Sequence, residues 1–159
     1  MKRFVLMIIS ALICGVVFTS CDKNEANNDT DYLIFGHFYG MCKGEGCIEI
    51  FKLEKEKLFE DTNDNYPSWN DFYVGNFVQL SQEQFDKTKD LINYFPIELL
   101  SDRNIVFGLP DASDGGGLYI EYNFGGIRKY WIFDNMQRDI PSQYHEFMDK
   151  VNEKIMLLQ

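Results

Sequence analysis

The sequence predicts an α+β fold: a mainly antiparallel sheet built from two β-hairpins, with two amphipathic helices. Two pairs of β-rich runs are each joined by turn-forming residues. Two further stretches carry apolar residues at helical spacing. The order is strands, helix, strands, helix, with no βαβ alternation that would call for a parallel sheet. At 159 residues the chain has one domain's length, and no internal repeat is visible.

The first hairpin pairs Tyr32 to Tyr39 with Cys47 to Leu53, around a loop from Gly40 to Gly46. An Asp- and Asn-rich loop is expected from Asp61 to Asn70, then a short strand at Phe77 to Leu80. Ser81, with Gln84 three residues on, has the form of a capping box. Phe85, Thr88, Leu91, Ile92 and Phe95 then recur at helical spacing until Pro96 stops the run. Asn104 to Gly108 reads as a strand. The second hairpin joins Leu118–Phe124 to Ile127–Phe133 through Gly125 and Gly126. After Pro141, the residues Tyr144, Phe147, Met148, Val151, Ile155 and Leu158 form one helical stripe.

The N-terminus reads as an address. Lys2 and Arg3 precede fifteen uncharged residues, Phe4 to Phe18, then Thr19, Ser20 and Cys21. This is the layout of a secretory signal over residues 1–20. Fifteen residues of helix reach only about 22 Å, short of a bilayer core of roughly 30 Å. Phe18-Thr19-Ser20-Cys21 resembles the lipobox of bacterial lipoproteins, with Ser20 as the small residue before the Cys and Phe18 departing from the usual Leu. The resemblance implies a diacylglycerol on the Cys21 thiol, cleavage just before it, and a further acyl chain such as palmitate on the new amine. Several chains anchor stably where one does not.

Residues 21–31 then form an acidic, Asn-rich tether with no large apolar side chain, and 32–159 the single globular domain. The tether, with Phe35-Gly36-His37-Phe38-Tyr39-Gly40 and Gly116-Gly117-Leu118-Tyr119-Ile120-Glu121-Tyr122, is similar to small lipoproteins of Bacteroidota. That resemblance implies an outer-membrane anchor facing the periplasm or the cell surface. It carries over no activity.

Charge narrows the partners. The net charge is −10, and loss of residues 1–20 removes Lys2 and Arg3, leaving about −12. Such a domain is repelled by nucleic-acid phosphates and by anionic lipid headgroups, so no nucleic acid is expected and the membrane is met through the lipid alone.

Cys42 and Cys47 are the thiols left to the mature domain, and in an oxidising envelope they are expected to form a disulfide. His37, Cys42, Cys47 and His145 match no standard zinc spacing, so no metal is expected. Asp61-Thr62-Asn63-Asp64-Asn65 begins like a calcium loop, but Tyr66 stands where the turn needs Gly and Phe72 where a bidentate Glu belongs. Gly115-Gly116-Gly117 lacks the Gly-Lys-Ser/Thr end of a phosphate loop. No Gly-x-Ser-x-Gly elbow or His-Glu-x-x-His motif is present, and no cofactor is expected.

Trp69, Tyr73, Tyr130 and Trp131 supply rings able to stack on a sugar or a peptide, or to fill the core. The expected function is thus a lipid-anchored, non-enzymatic binding module for an envelope protein or glycan. Two alternatives stand beside it. One is a small hydrolase using His37 or His145 with nearby carboxylates. The other is an acidic inhibitor or immunity-type protein steered to a basic target.

Overall fold

The computed structural model describes residues 31–159. The signal segment, Cys21 and the tether up to Thr30 lie outside the described residues. The domain is a mixed α+β fold on one seven-stranded sheet: β1 (Tyr32–Phe38), β2 (Ile48–Glu54), β3 (Lys57–Asp61), β4 (Phe77–Gln79), β5 (Val106–Phe107), β6 (Gly117–Phe124) and β7 (Ile127–Asp134). Their order across the sheet is β4-β3-β2-β1-β6-β7-β5. Every pairing is antiparallel except the short parallel ladder of β5 on β7. The two α-helices are α1 (Gln82–Thr88) and α2 (His145–Met156).

Period-two alternation sorts the strands onto two faces. Leu33, Phe35, Phe51, Leu53, Leu58, Leu118, Ile120, Trp131 and Phe133 point to the helices, where Phe85, Phe147, Met148, Val151 and Ile155 close the main core. The opposite face carries Tyr32, Ile34, Phe38, Ile50, Tyr119 and Ile132, and the irregular segment 62–76 covers it by laying Tyr73 against them.

The β6–β7 turn follows from its residues. Phe124 pairs with Ile127, and Gly125 and Gly126 both take positive φ, 58° and 81°. That is the conformation a two-residue hairpin turn needs to match strand twist, and only glycine adopts it twice without strain. The capping box at Ser81 also forms: Gln84 N–H donates to Ser81 Oγ, and Ser81 N–H donates to Gln84 Oε1.

Three elements differ from expectation. The sheet gains β3, which the dense charges of Lys55, Glu56 and Lys57 disguise. Lys55 turns the chain at φ 53°, Glu54 pairs with Lys57, and Leu58 is buried. The helix expected to run to Phe95 stops at Thr88, whose hydroxyl donates to the Gln84 and Phe85 carbonyls and so competes with the helical ladder. A single 3₁₀ turn, Leu91–Tyr94, continues to Pro96. The strand expected over 104–108 shrinks to two residues because Asp102 Oδ1 accepts from Asn104 N–H, holding 102–104 in a turn, and Gly108 takes φ 74° at the other end.

Trp131 is 1% exposed, with Phe95 at 5.8 Å between ring centroids. Trp131→Ala is expected to cost about 3–5 kcal/mol of stability, read as a lowered urea midpoint with little change in slope.

Candidate functional site

The covered face of the sheet is held by a buried polar network. Glu121 on β6 is fully buried, and its carboxylate accepts from Tyr32 OH at 2.7 Å, Tyr119 OH at 2.8 Å, Tyr73 N–H at 3.2 Å and Arg128 Nε at 2.9 Å. Four donors satisfy a charge that burial alone would make very costly. Asp61, at the end of β3, is another buried carboxylate. It accepts from Tyr73 OH at 2.6 Å, Asp64 N–H at 3.1 Å and Asn76 N–H. Tyr73 therefore bridges the two acids, through its main chain to Glu121 and through its phenol to Asp61. Burial is the largest cause raising both the Tyr73 and Tyr119 phenols far above the ordinary tyrosine range, and the adjoining carboxylates add to it.

The same geometry answers the calcium-like reading of 61–65. A hollow of about 290 Å³ is lined by Glu49, Glu60, Asp61, Thr62 and Asp64. The Asp61 oxygens are already spent on the turn that follows β3. Among the described residues no group of three or more His, Cys, Asp or Glu is placed to hold a metal ion.

Cys42 and Cys47 form a disulfide, with Cα atoms 5.6 Å apart. It closes the tip of the first hairpin, where Tyr39 N–H also donates to Cys47 O at 2.9 Å. Closing so short a loop stabilises by about 2 kcal/mol in the chain-entropy model. The bond consumes both thiols that a zinc site would use. Each imidazole is bonded to a backbone carbonyl: His37 Nε2 to Gly46 O at 3.1 Å, His145 Nε2 to Ile140 O at 2.8 Å.

Of the four aromatics singled out by sequence, two serve packing. Trp131 lies in the main core, and Tyr73, 5% exposed, lies in the second cluster. They present no free ring face, because the alternation of β7 turns residue 131 toward the helices and the network draws residue 73 onto the sheet. Trp69 is 37% exposed, and its carbonyl accepts from Tyr130 OH at 3.1 Å.

Tyr130 instead belongs to a cleft of about 450 Å³, lined by Phe72, Ser101, Asp102, Arg103, Ile105, Arg128, Lys129, Tyr130 and Trp131. Phe72 meets Tyr130 edge-on at 5.3 Å, and the Arg128 guanidinium lies 4.0 Å from the Phe72 ring centre. Arg128 is thereby fixed between a buried acid and an aromatic face. Lys129 Nζ donates to Leu100 O at 2.6 Å. Asp102 accepts from Asn104 N–H and from Tyr144 OH, bonds that lower its carboxyl below the ordinary range. Phe72, Arg103 and Arg128 carry no motif. No local pattern in the sequence sets them apart from its other aromatic and basic residues. Three cations and two ring faces around one cleft suit an anionic ligand with apolar parts.

No protein-family model matches the chain, and no curated protein is significantly similar to it.

At the end of the sheet near the disulfide, Asp111 accepts from Gly40 N–H, Gly116 N–H and Tyr66 OH. Burial and Asp111 together push the Tyr66 phenol up to about 12. A phenol with a raised pKa in the folded chain binds its proton more tightly there than in the unfolded chain. Its contribution is complete below about pH 10 and is lost as pH climbs toward 12. Tyr66→Phe is expected to flatten the alkaline fall in stability across that window, measured by urea melts at successive pH values. In the network, Arg128→Ala leaves Glu121 buried with three donors, and a loss of about 1–3 kcal/mol is expected by the same melts.

Proposed function

We propose that this protein is a lipid-anchored, non-enzymatic binding module of the cell envelope, acylated at Cys21 and related in kind to the small lipoproteins of Bacteroidota. The tether of residues 21–31 holds domain 32–159 off an outer membrane whose headgroups repel it. The partner is an envelope protein or a glycan. The observation that carries the reading is the basic and aromatic cleft beside β7, the place where this acidic domain gathers Arg103, Arg128 and Lys129 around partly exposed rings. The hydrolase alternative draws less support, since the bonds of both imidazoles run to backbone carbonyls instead of to an orienting acid. Among the described residues no helix is long and apolar enough to cross a membrane.

Two measurements test this. An intact-mass spectrum of membrane-extracted protein is expected to match chain 21–159 plus acyl groups, gaining two alkyl groups only after reduction. An unacylated mass would remove the anchor. A photo-crosslinking residue at position 103 is expected to capture an envelope component in living cells, and a residue at exposed position 156 on the helical face serves as the control. Equal or absent capture at both positions would overturn the binding reading.

A further inference from the structure

We propose that the edge of β7 between Arg128 and Trp131 is a docking track for an extended peptide segment bearing acidic side chains, which joins the sheet as an added strand. The proposal rests on the binding-module reading above and names its partner chemistry.

The shape of the cleft comes first. Arg128, Lys129, Tyr130 and Trp131 all line it, although alternate residues of a strand point to opposite faces. Four consecutive residues line one hollow only where it runs along the strand's edge. Its far wall is Ser101 to Arg103 and Ile105, the stretch leading into β5. That stretch stands away from β7 because the Asp102–Asn104 turn holds it out of the sheet.

The backbone polarity follows from one hydrogen bond. Ile132 N–H donates to Ile105 O at 2.8 Å, so residue 132 turns its polar groups away from β6 and toward the β5 side. Residue 130, two positions earlier, turns the same way. The β5 ladder covers only Ile132 and Phe133 of β7. Among the described residues the main-chain N–H and C=O of Tyr130 therefore face the cleft with no strand partner. An incoming strand supplies both halves of that bond pair, the means by which sheet-edge binders hold extended peptides.

Charge selects the side chains. Arg103 forms no ion pair among the described residues, and Lys129 is bonded to a neutral carbonyl. Arg128 is balanced by Glu121, and Asp102 is the acid in the lining. Among the lining residues Arg103 and Lys129 outnumber Asp102 by one charge, with Asp71 acting on the Tyr130 phenol nearby, on a domain that is strongly anionic overall. At physiological salt the distant acids are screened over roughly 8 Å, whereas a carboxylate seated between Arg103 and Lys129 is in direct contact. Phe72 and Tyr130 provide the apolar slot for an alternate side chain of the same peptide.

The test uses the full chain in detergent with isotope-labelled amides. The probes are a blocked hexapeptide alternating threonine and glutamate, its lysine-for-glutamate counterpart, and a short oligogalacturonate. The glutamate peptide is expected to shift the amides of Tyr130, Ile132 and residues 101–105, and the lysine peptide is not. Tyr130→Pro removes the cleft-facing N–H at an edge position where proline is tolerated, and binding is expected to weaken about tenfold or more. Tyr130→Phe, which keeps the N–H and the ring, is expected to stay within about threefold of the parent. Arg103→Glu changes an exposed side chain alone and keeps the test decisive if the proline variant misfolds; it too is expected to weaken binding about tenfold. Unmoved cleft amides, equal binding of the lysine peptide, or full binding by Arg103→Glu would overturn the proposal. So would a saccharide that shifts these amides where the glutamate peptide does not. If the peptides fail while crosslinking at position 103 still captures an envelope component, the docking track falls and the binding module stands. Failure of both removes the two together.

Discussion

Burying the Glu121 carboxylate is the constraint on which the rest of this domain depends. The strand that carries it is central, pairing with β1 on one side and β7 on the other, so the charge has no route to water. Each of its donors comes from a different part of the chain: Tyr32 from β1, Tyr119 from β6 itself, Tyr73 from segment 62–76, and Arg128 from β7. The acid therefore decides where a long irregular segment lies. With Tyr73 drawn onto the sheet, Phe72 on the same segment is delivered to the Arg128 guanidinium, and one wall of the cleft follows. A hydrophobic replacement in the interior of the network would pack the sheet as well, but would not tie three strands and a loop into one register.

The two faces of the sheet are stabilised by different means. On the helical face the side chains are apolar and interlocking, with Phe107 stacked on Phe133 at 4.8 Å and both against Tyr144. Apolar packing of that kind needs no partner of exact polarity and tolerates a helix as its cover. The other face mixes Ile34, Phe38 and Ile50 with tyrosines whose hydroxyls must be satisfied. A segment without strand or helix can cover it only because side-chain acids accept the N–H groups that a ladder would otherwise pair, as Asp61 does for residues 64 and 76. The Asp111 clasp does the same for Gly40 and Gly116 at the sheet's end. Side-chain acids thus take the place of missing secondary structure.

This division explains what was legible in the sequence. Periodicity shows the elements that bury an apolar stripe, so α2, the β1 and β2 runs, the Gly125-Gly126 turn and the Ser81 cap could be read directly. It fails where polar residues carry the fold. Lys55 to Lys57 hid β3 because the turn there is charged, and the bonds of Thr88 shortened α1 without any change in the hydrophobic spacing. For the same reason Trp131 and Tyr73 stay open in the sequence between ligand-stacking rings and core. Composition shows a ring, whereas only strand parity and the partner of a main-chain N–H show which way it faces. The cleft was invisible for a different cause: its walls are brought together from residues 72, 101–105 and 128–131, and no local pattern links them.

The cations beside β7 admit a purely defensive reading, since natural sheets place lysine and arginine along edges to keep other chains from pairing there. Their fixation argues against it. A gatekeeping cation works by being solvated and free to sweep the edge, at the cost of its own rotamer entropy on any approach. Arg128 is pinned between Glu121 and Phe72, and Lys129 is pinned to the Leu100 carbonyl. Both have already lost the freedom that would make them repellent. A defended edge also needs no apolar slot, yet Phe72 and Tyr130 line this one. Fixed charges, an unpaired main-chain donor and acceptor, and ring faces thus lie on one track, where an extended strand would complete the main-chain bonds. The same features lower the entropy lost when an extended acidic strand arrives.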